Sequence, residues 1–311
     1  MGKLAFVFPG QGAQAVGMGR DAWEAAPEAR RVFAEADEAL GCKLSDLIFG
    51  GPDEQLKQTY NTQPALLTVS AAYLAVLRAK GVGQADFVAG HSLGEYSALV
   101  AAGVLPFADA VRTVRRRGEL MEEAVPSGLG AMAAVLGAER EALAGLCREV
   151  AESGHPVELA NVNCPGQIVI SGTREGVGAV QEKGKEIGAK RVLPLEVSGP
   201  FHSSLMRPAA DKLAEVLADL ALRPASVPVI ANVTAEPVTD AAEIRSLLAR
   251  QVYSPVMWED SVNRLIAEGV DTFVEIGSGS VLSGLIKKID RNVRIVTVNS
   301  LEAAEAYAAP V

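Results

Sequence analysis

The amino-acid sequence predicts a mixed α/β fold in which a smaller domain is inserted into a larger one. Short apolar segments alternate with segments of helical periodicity towards both ends of the chain. A stretch in the middle follows a different order of strands and helices, and the 311 residues exceed the usual size of one domain. The composition, 49% hydrophobic and 22% charged, is typical of a globular protein with a sizeable core.

The first part of the chain predicts alternating strands and helices. Residues 4–8 form a short apolar run that Pro9 and Gly10 end, which predicts a buried strand. The elements expected after it are a helix over 64–80, a strand over 86–90, a helix after Ser92 and a helix over 107–124. Such alternation indicates a mainly parallel sheet with helices packed on it.

The middle of the chain predicts an antiparallel unit of its own. The expected elements are a strand over 132–136, a helix over 139–153, strands over 157–161 and 168–171, a helix over 173–187 and a strand over 191–195. The turn Asn163-Cys-Pro-Gly separates the two central strands. Because β-α-β-β-α-β is the ferredoxin-like order, we expect a ferredoxin-like domain over 128–197, inserted into a larger domain of residues 1–127 and 198–311.

The last third returns to the first pattern. It predicts strands over 229–232, 272–276 and 293–298, and helices over 241–252, 258–268 and 281–289. The alanine-rich tail from Ala303 onward is expected to fray.

Composition excludes several classes of function. The chain has 29 Lys and Arg against 38 Asp and Glu, a net charge of −9, which disfavours nucleic acid as a partner. No apolar stretch reaches the roughly 20 residues of a membrane span, and the N-terminus lacks the features of a signal peptide, so we expect a cytoplasmic protein without a membrane partner. The scattered Cys42, Cys147 and Cys164 predict reduced thiols, and no ligand spacing predicts a metal or a bound cofactor.

The segment Gly90-His-Ser-Leu-Gly fits Gly-x-Ser-x-Gly between a predicted strand and a predicted helix. A nucleophile elbow requires this context, because the tight turn needs glycines and presents the serine at the start of a helix. The alternative is a glycine-rich turn with an incidental serine. The strand–turn–helix context favours Ser92 as a catalytic nucleophile.

A serine nucleophile needs a base, and the chain has three histidines. His91 neighbours the serine, so its side chain should leave the elbow in another direction, and His155 stands in a predicted loop. His202 is therefore the predicted base. About a third of the chain follows His202, which fits poorly with a hydrolase triad, whose histidine usually lies near the chain end.

Six ordered motifs resemble malonyl-CoA:acyl carrier protein transacylases, and they span most of the chain. They are Phe8-Pro-Gly-Gln-Gly-Ala-Gln, Gly90-His-Ser-Leu-Gly-Glu-Tyr, Arg117-Gly-Glu-Leu-Met, Asn163-Cys-Pro-Gly-Gln, Pro200-Phe-His and Gln251-Val-Tyr-Ser-Pro-Val-Met-Trp. The resemblance implies an α/β-hydrolase-like domain with a ferredoxin-like insertion. It also implies transfer of a malonyl group from malonyl-CoA to an acyl carrier protein, through an ester on the serine.

The resemblance assigns roles to individual residues. Ser92 attacks the thioester, and His202 acts as the base of a Ser-His dyad, oriented by the main-chain carbonyl of Gln251. Backbone N–H groups of Gln11 and Leu93 are expected to form the oxyanion hole. This dyad would account for the absence of a convincing third, acidic member.

Substrate choice is expected to depend on an arginine, since a guanidinium can hold the malonyl carboxylate by two parallel hydrogen bonds. By sequence alone any arginine of 115–117 could serve, and the Arg-Gly pair of the family selects Arg117. Phe201, as in malonyl-selective acyltransferase domains of polyketide synthases, is expected to fill the space of an α-methyl branch. The resemblance also places Met121, His91 and Gln251 in the substrate site.

Other functions remain open at this point. An acyltransferase serving a polyketide carrier would have the same chemistry, although a stand-alone chain favours fatty acid synthesis. Arg117 and the missing acid disfavour a serine hydrolase such as a thioesterase, and the set of Ser92, His202 and Gln11 disfavours a non-catalytic carrier-binding protein. Lys287 and Lys288 belong to a basic cluster that could dock the carrier, or that could simply be a solvated helix face.

Overall fold

The computed structural model describes residues 2–126 and 128–309, which form a mixed α/β structure with two sheets. The strands are β1 Lys3–Phe8, β2 Phe87–Gly90, β3 Gly130–Leu136, β4 Val157–Cys164, β5 Gln167–Thr173, β6 Arg191–Pro194, β7 Val229–Ile230, β8 Pro237–Val238, β9 Val270–Ile276 and β10 Arg294–Val298. The α-helices up to the end of the small sheet are α1 Arg20–Ala25, α2 Pro27–Leu40, α3 Leu44–Gly50, α4 Asp53–Leu56, α5 Thr59–Ala79, α6 Gly94–Ala101, α7 Phe107–Glu123, α8 Arg140–Glu152 and α9 Arg174–Lys183. Those after it are α10 Arg207–Ala218, α11 Ala241–Gln251, α12 Trp258–Ala267, α13 Val281–Ile289 and α14 Leu301–Ala308.

The large sheet has the order β10-β9-β1-β2-β7-β8 and is parallel except for β8. Its central strands are apolar and buried because helices cover both faces. In the register of β1 and β2, Phe8 lies opposite Gly90. The loops that follow these two strands therefore leave the same edge of the sheet side by side, which brings Gln11 towards Ser92.

The small sheet is antiparallel, with the order β4-β5-β3-β6. Helices α8 and α9 pack on one face over a core that includes Leu143, Ile170 and Val180. Elsewhere on this sheet, Met132 and Val169 join the main core. Backbone hydrogen bonds also tie the small sheet to the segment before α12, since Val256 donates to the Ala160 carbonyl at 2.8 Å. The small sheet therefore forms one wall of a cleft above the large sheet.

The predicted strands and helices of the middle segment are present in the expected order, but the sequence interpretation missed α1 to α4 and α10. The prediction that the tail frays is wrong over the part of the tail in α14. Ser300 caps this helix by accepting from the Ala303 N–H at 3.1 Å, and Ala304 is buried. The expected domain limits at residues 1, 127 and 311 lie outside the described residues. Within 2–126 and 128–309, no helix has the length and apolarity needed to cross a membrane.

Candidate active site

Ser92 lies in the sharp turn between β2 and α6, and its φ of 51° is in the left-handed region that non-glycine residues rarely adopt. A Cβ at Gly90 would overlap the Gly94 carbonyl, and a Cβ at Gly94 would overlap the Phe8 carbonyl. The Ser92 N–H donates to Asn232 Oδ1 at 2.7 Å, which helps to hold the turn. The glycines therefore let the chain pass closely enough to expose one serine at the start of a helix.

His202 is hydrogen-bonded to this serine. Ser92 Oγ lies 2.8 Å from His202 Nε2, and His202 Nδ1 lies 2.9 Å from the main-chain carbonyl of Gln251. Because a carbonyl can only accept, Nδ1 carries the proton and Nε2 is left to accept the serine hydroxyl. Among the described residues, no carboxylate is hydrogen-bonded to His202. The pair can therefore deprotonate a serine without a third, acidic side chain in contact with the base.

The electrostatic environment keeps the His202 imidazole neutral. Burial, followed by the positive charge of Arg117, lowers the pKa of His202 to about 3. His202, like Ser92, has a positive φ, in this case 58°. Strain at both residues indicates that the surrounding structure holds them in place. The base is thus neutral and available, but burial and the nearby charge of Arg117 make it weak.

Arg117 is the member of 115–117 that reaches the serine. Its guanidinium is only 1% exposed, and Nη2 donates to Ser92 Oγ at 3.2 Å. Arg115 instead stacks on the Tyr60 ring at 4.9 Å, and Arg116 pairs with Glu119 at 3.0 Å. Of the three arginines that the sequence left open, the structure brings Arg117 to the serine.

Two glutamine side chains hold the Arg117 guanidinium. Nη1 donates to Gln63 Oε1 and Nη2 donates to Gln251 Oε1, both at 2.8 Å. Nε has no hydrogen-bond partner among the described residues, although it is buried. A buried cation that contacts neutral acceptors and has an unused N–H group can bind an anion.

The Gln251 side chain connects this arginine to a buried acid. Its Nε2 donates to Glu95 Oε2 at 2.8 Å and to the Ser92 carbonyl at 3.0 Å. The Asn232 N–H also donates to Glu95 Oε2, at 3.1 Å. Gln251 therefore makes two contacts in the site. Its main-chain carbonyl accepts a hydrogen bond from His202, and its side-chain oxygen accepts one from Arg117.

Ser92 faces a small inner pocket of about 110 Å³, which borders a wider outer pocket of about 420 Å³. The residues that line both are Gln11, His91, Asn161, Leu195 and Val197. The inner pocket has room for a short acyl group, and the outer one for the chain that carries it. The two pockets lie between the large-sheet loops and the small sheet.

The other predicted site residues also line the inner pocket, namely Gln11, Leu93, Met121, Phe201 and His91. The backbone N–H groups of Gln11 and Leu93 have no hydrogen-bond acceptor within the described residues. Two such groups beside a nucleophile can stabilise an oxyanion. As expected, the His91 side chain leaves the elbow, and its Nε2 lies 2.8 Å from Asn163 Oδ1.

Other predicted residues lie outside the inner pocket. His155 is exposed in the loop before β4, and Lys287 and Lys288 lie on α13. Lys288 Nζ donates to Gln167 Oε1, which lines the outer pocket, at 3.1 Å. In the part of the chain that the structure describes, no group of three or more His, Cys, Asp or Glu side chains could hold a metal ion.

Sequence reasoning missed several residues that complete the site, namely Gln63, Glu95, Asn163 and Asn232. Glu95 stood inside the motif Gly90-His-Ser-Leu-Gly-Glu-Tyr and could have been singled out as an acid next to the elbow. Asn163 likewise stood at the start of the motif Asn163-Cys-Pro-Gly-Gln. Gln63 and Asn232 carried no comparable signal, because each comes from a segment outside the motifs and distant from Ser92 in the chain.

Comparisons with known proteins show which family the chain resembles. The family model described as acyl transferase domain matches residues 5–303. The chain is 59% identical to the malonyl CoA-acyl carrier protein transacylase of Bacillus subtilis, over 98% of this chain and 96% of the relative. An acyl carrier protein S-malonyltransferase from Vibrio cholerae has a similar structure, with a TM-score of 0.96 at 48% identity, covering 98% of this chain and 99% of the other.

A further similar structure contains a carrier. It is a type II PKS acyl-carrier protein in complex with its malonyl-transacylase. The match has a TM-score of 0.94 at 46% identity and covers 97% of each chain.

Proposed function

The chain belongs to the acyl transferase domain family, and from this premise we propose that it moves a malonyl group from malonyl-CoA to the phosphopantetheine thiol of an acyl carrier protein, supplying fatty acid synthesis. The observation that carries the proposal is the position of Arg117, which donates to the hydroxyl of a serine that is also hydrogen-bonded to His202. The pocket thus combines a nucleophile, a base and a cation whose hydrogen-bond acceptors are all neutral. This combination suits an acyl group that ends in a carboxylate.

The first half-reaction forms a malonyl ester on Ser92. As Ser92 Oγ attacks the thioester carbonyl, its proton passes to His202 Nε2, and the N–H groups of Gln11 and Leu93 stabilise the oxyanion. Collapse of the intermediate breaks the C–S bond, and His202 returns the proton to the leaving coenzyme A thiolate. The inner pocket would hold the acyl group during this step.

The second half-reaction reverses the first with a different thiol. The carrier thiol gives its proton to His202 and attacks the ester, and Ser92 Oγ leaves with that proton. Malonyl-CoA is the substrate and coenzyme A the first product, so the scheme requires no separate cofactor. The absence of a contacting acid is consistent with a dyad, since the Gln251 carbonyl holds the required tautomer.

Arg117 supplies malonyl selectivity in two ways. Its guanidinium, which lines the inner pocket, can hold the malonyl carboxylate by hydrogen bonds from its N–H groups. Burial is the main cause of the low pKa of His202, and the charge of Arg117 lowers it further. The carboxylate offsets that second contribution, so the base becomes stronger when the correct acyl group is bound. A neutral acyl group adds no such negative charge, so the carboxylate should raise the rate as well as the affinity.

The remaining site residues shape the acyl pocket. Phe201, 5% exposed, and Met121, 2% exposed, lie around Ser92, and we assign Phe201 to excluding an α-methyl branch. His91 would close the pocket beside the oxyanion donors, held by Asn163.

We also propose a domain organisation for the chain. We interpret the large sheet as an α/β-hydrolase-like domain of residues 1–127 and 198–311, and residues 128–197 as a ferredoxin-like insertion. The β-α-β-β-α-β order and the strand order β4-β5-β3-β6 support the insertion. The elbow between β2 and α6 supports the larger domain.

A polyketide carrier is the second candidate acceptor. The structural similarity to a transacylase in complex with a type II PKS carrier favours it, since the same chemistry serves both carriers. Lys287 and Lys288 on α13, near the outer pocket, are the basic residues proposed to meet an acidic carrier.

A transfer assay with purified carriers tests the proposal. We expect radiolabelled malonyl-CoA to malonylate a holo fatty acid carrier but not its apo form, which lacks the thiol. A marked preference for a holo polyketide carrier would reassign the pathway. Release of free malonate at the same rate with and without any carrier would contradict acyl transfer and indicate a hydrolase.

A further inference from the structure

Glu95 is a buried carboxylate next to the nucleophile to which the scheme above gives no role. It stands in the first turn of α6, three residues after Ser92, and is 2% exposed. Its recorded hydrogen bonds come from two neutral groups, the Gln251 amide and the Asn232 N–H. A buried carboxylate is costly without a compensating charge, so its retention here needs an explanation.

The Gln251 amide lies between this acid and Arg117. Its Nε2 faces Glu95, and its Oε1 accepts the Arg117 Nη2 at 2.8 Å. An ionised carboxylate can only accept hydrogen bonds and a guanidinium can only donate them. If the amide were flipped, its oxygen would face the Glu95 carboxylate and its N–H groups would face those of Arg117. Glu95, together with the Ser92 carbonyl, thus fixes which end of the amide Arg117 meets.

Resting on the proposed function, we propose that Glu95 is a positioning residue of the malonyl site, which orients Arg117 through the Gln251 amide and balances its charge while the site is empty. When a malonyl carboxylate binds, two anions share one guanidinium. Glu95 then weakens the hold of Arg117 on the malonyl group, which favours its release to the carrier.

The charge state of Glu95 makes malonyl binding depend on pH. Burial raises the pKa of Glu95 to about 7, against the opposing hydrogen bonds and the charge of Arg117. The titratable groups around it change charge outside the pH range near 7. The pKa of Tyr96 is raised to about 12, that of His202 is lowered to about 3, and that of His91 is also lowered. Arg117 stays charged. Glu95 is neutral below pH 7 and anionic above it, so malonyl affinity should fall as the pH rises through 7.

Glu95→Gln separates charge from geometry. The glutamine Oε1 can accept from Gln251 and Asn232 as the carboxylate does, but without the charge. In a Ser92→Ala background, which cannot be acylated, malonyl-CoA and acetyl-CoA are titrated calorimetrically from pH 6.5 to 8.5. We expect Glu95→Gln to bind malonyl-CoA about tenfold more tightly at pH 8.5, without pH dependence. Acetyl-CoA, which shares the coenzyme A part, should bind both proteins alike.

Two further variants test the positioning role in the otherwise unmodified enzyme. Glu95→Ala removes the acceptor and should lower kcat about tenfold, and Glu95→Gln should restore most of it. Asp37→Asn is the matched control, since Asp37 is a buried carboxylate that bonds Ser45 on α3, away from the site. Its malonyl-CoA affinity should equal that of the parent.

The outcomes distinguish this inference from the proposed function. If the Ser92→Ala protein prefers malonyl-CoA to acetyl-CoA but Glu95→Gln changes neither affinity nor pH profile, the role of Glu95 is refuted and the proposed function stands. If malonyl-CoA has no advantage in either protein, the proposed function itself fails. If Glu95→Gln does not fold, the pH dependence of malonyl-CoA affinity in the Ser92→Ala protein decides. A malonyl-CoA affinity that does not change between pH 6.5 and 8.5 refutes the proposal.

Discussion

The two walls of the active-site cleft differ in chemistry. The wall from the large sheet and its loops holds Ser92, Arg117, His202 and Gln251, joined by hydrogen bonds of 2.8 to 3.2 Å. The wall from the small sheet and the segment after it is mostly apolar around the serine, with Met132, Leu195 and Val197 beside one amide, Asn161. In the proposed mechanism one wall therefore carries reactivity and charge recognition, whereas the other limits shape and access.

Removal of the base should have the largest effect on the polar wall. His202→Ala leaves Ser92 without an acceptor for its proton, and we expect a loss of about 10³-fold in kcat/KM for malonyl transfer. Exposed His155→Ala is the matched control and should behave as the parent. A His202→Ala enzyme within tenfold of the parent would mean that another group is the base.

Removal of the cation should change selectivity as well as rate. Arg117→Ala deletes the charged partner of the malonyl carboxylate, so kcat/KM for malonyl-CoA should fall about a hundredfold, while that for acetyl-CoA stays level or rises. Arg116→Ala, whose guanidinium pairs with Glu119, should change neither. If Arg117→Ala still prefers malonyl-CoA, another residue binds the malonyl carboxylate.

Phe201 should affect shape selection alone. Phe201→Ala enlarges the inner pocket, and we expect methylmalonyl-CoA to gain about tenfold relative to malonyl-CoA in kcat/KM. Phe201→Leu, which keeps most of the bulk, should gain less. If the ratio of kcat/KM for methylmalonyl-CoA to that for malonyl-CoA is unchanged in both variants, Phe201 contributes to packing and not to substrate selection.

The apolar wall should give the smallest effect. Leu195 lines both pockets and is 37% exposed, so Leu195→Ala should raise the KM for malonyl-CoA about threefold with kcat unchanged. Leu129→Ala, at an exposed leucine outside the pockets, is the control. A fall in kcat larger than the rise in KM would mean that the small sheet also positions reacting groups.

The sequence predicted those parts of the site that depend on local rules. Gly90 and Gly94 flank the elbow because backbone passes too close for a Cβ, and a pattern of this kind is visible in one segment. The choice of Arg117 over its neighbours required the family resemblance, and the structure then gave the physical reason, a helix face turned towards Ser92. The Gln251 carbonyl likewise entered through the resemblance.

The missed features depend on contacts between distant segments. Gln63, Asn232 and Gln251 meet around Ser92 from three separate parts of the chain, and no spacing rule predicts that. The missed helix α2 did carry local signals, since Pro27 begins it and Gly41 ends it in a left-handed conformation. The tail forms a helix because Ala304 packs into the main core, which alanine content alone does not indicate.

The measurement that tests the central claim most directly is the intact mass of the protein after brief incubation with malonyl-CoA. The proposed mechanism predicts one malonyl adduct on the parent, its disappearance on addition of holo carrier, and no adduct on Ser92→Ala. The absence of an adduct on the parent, or an equal adduct on Ser92→Ala, would contradict a malonyl ester on Ser92.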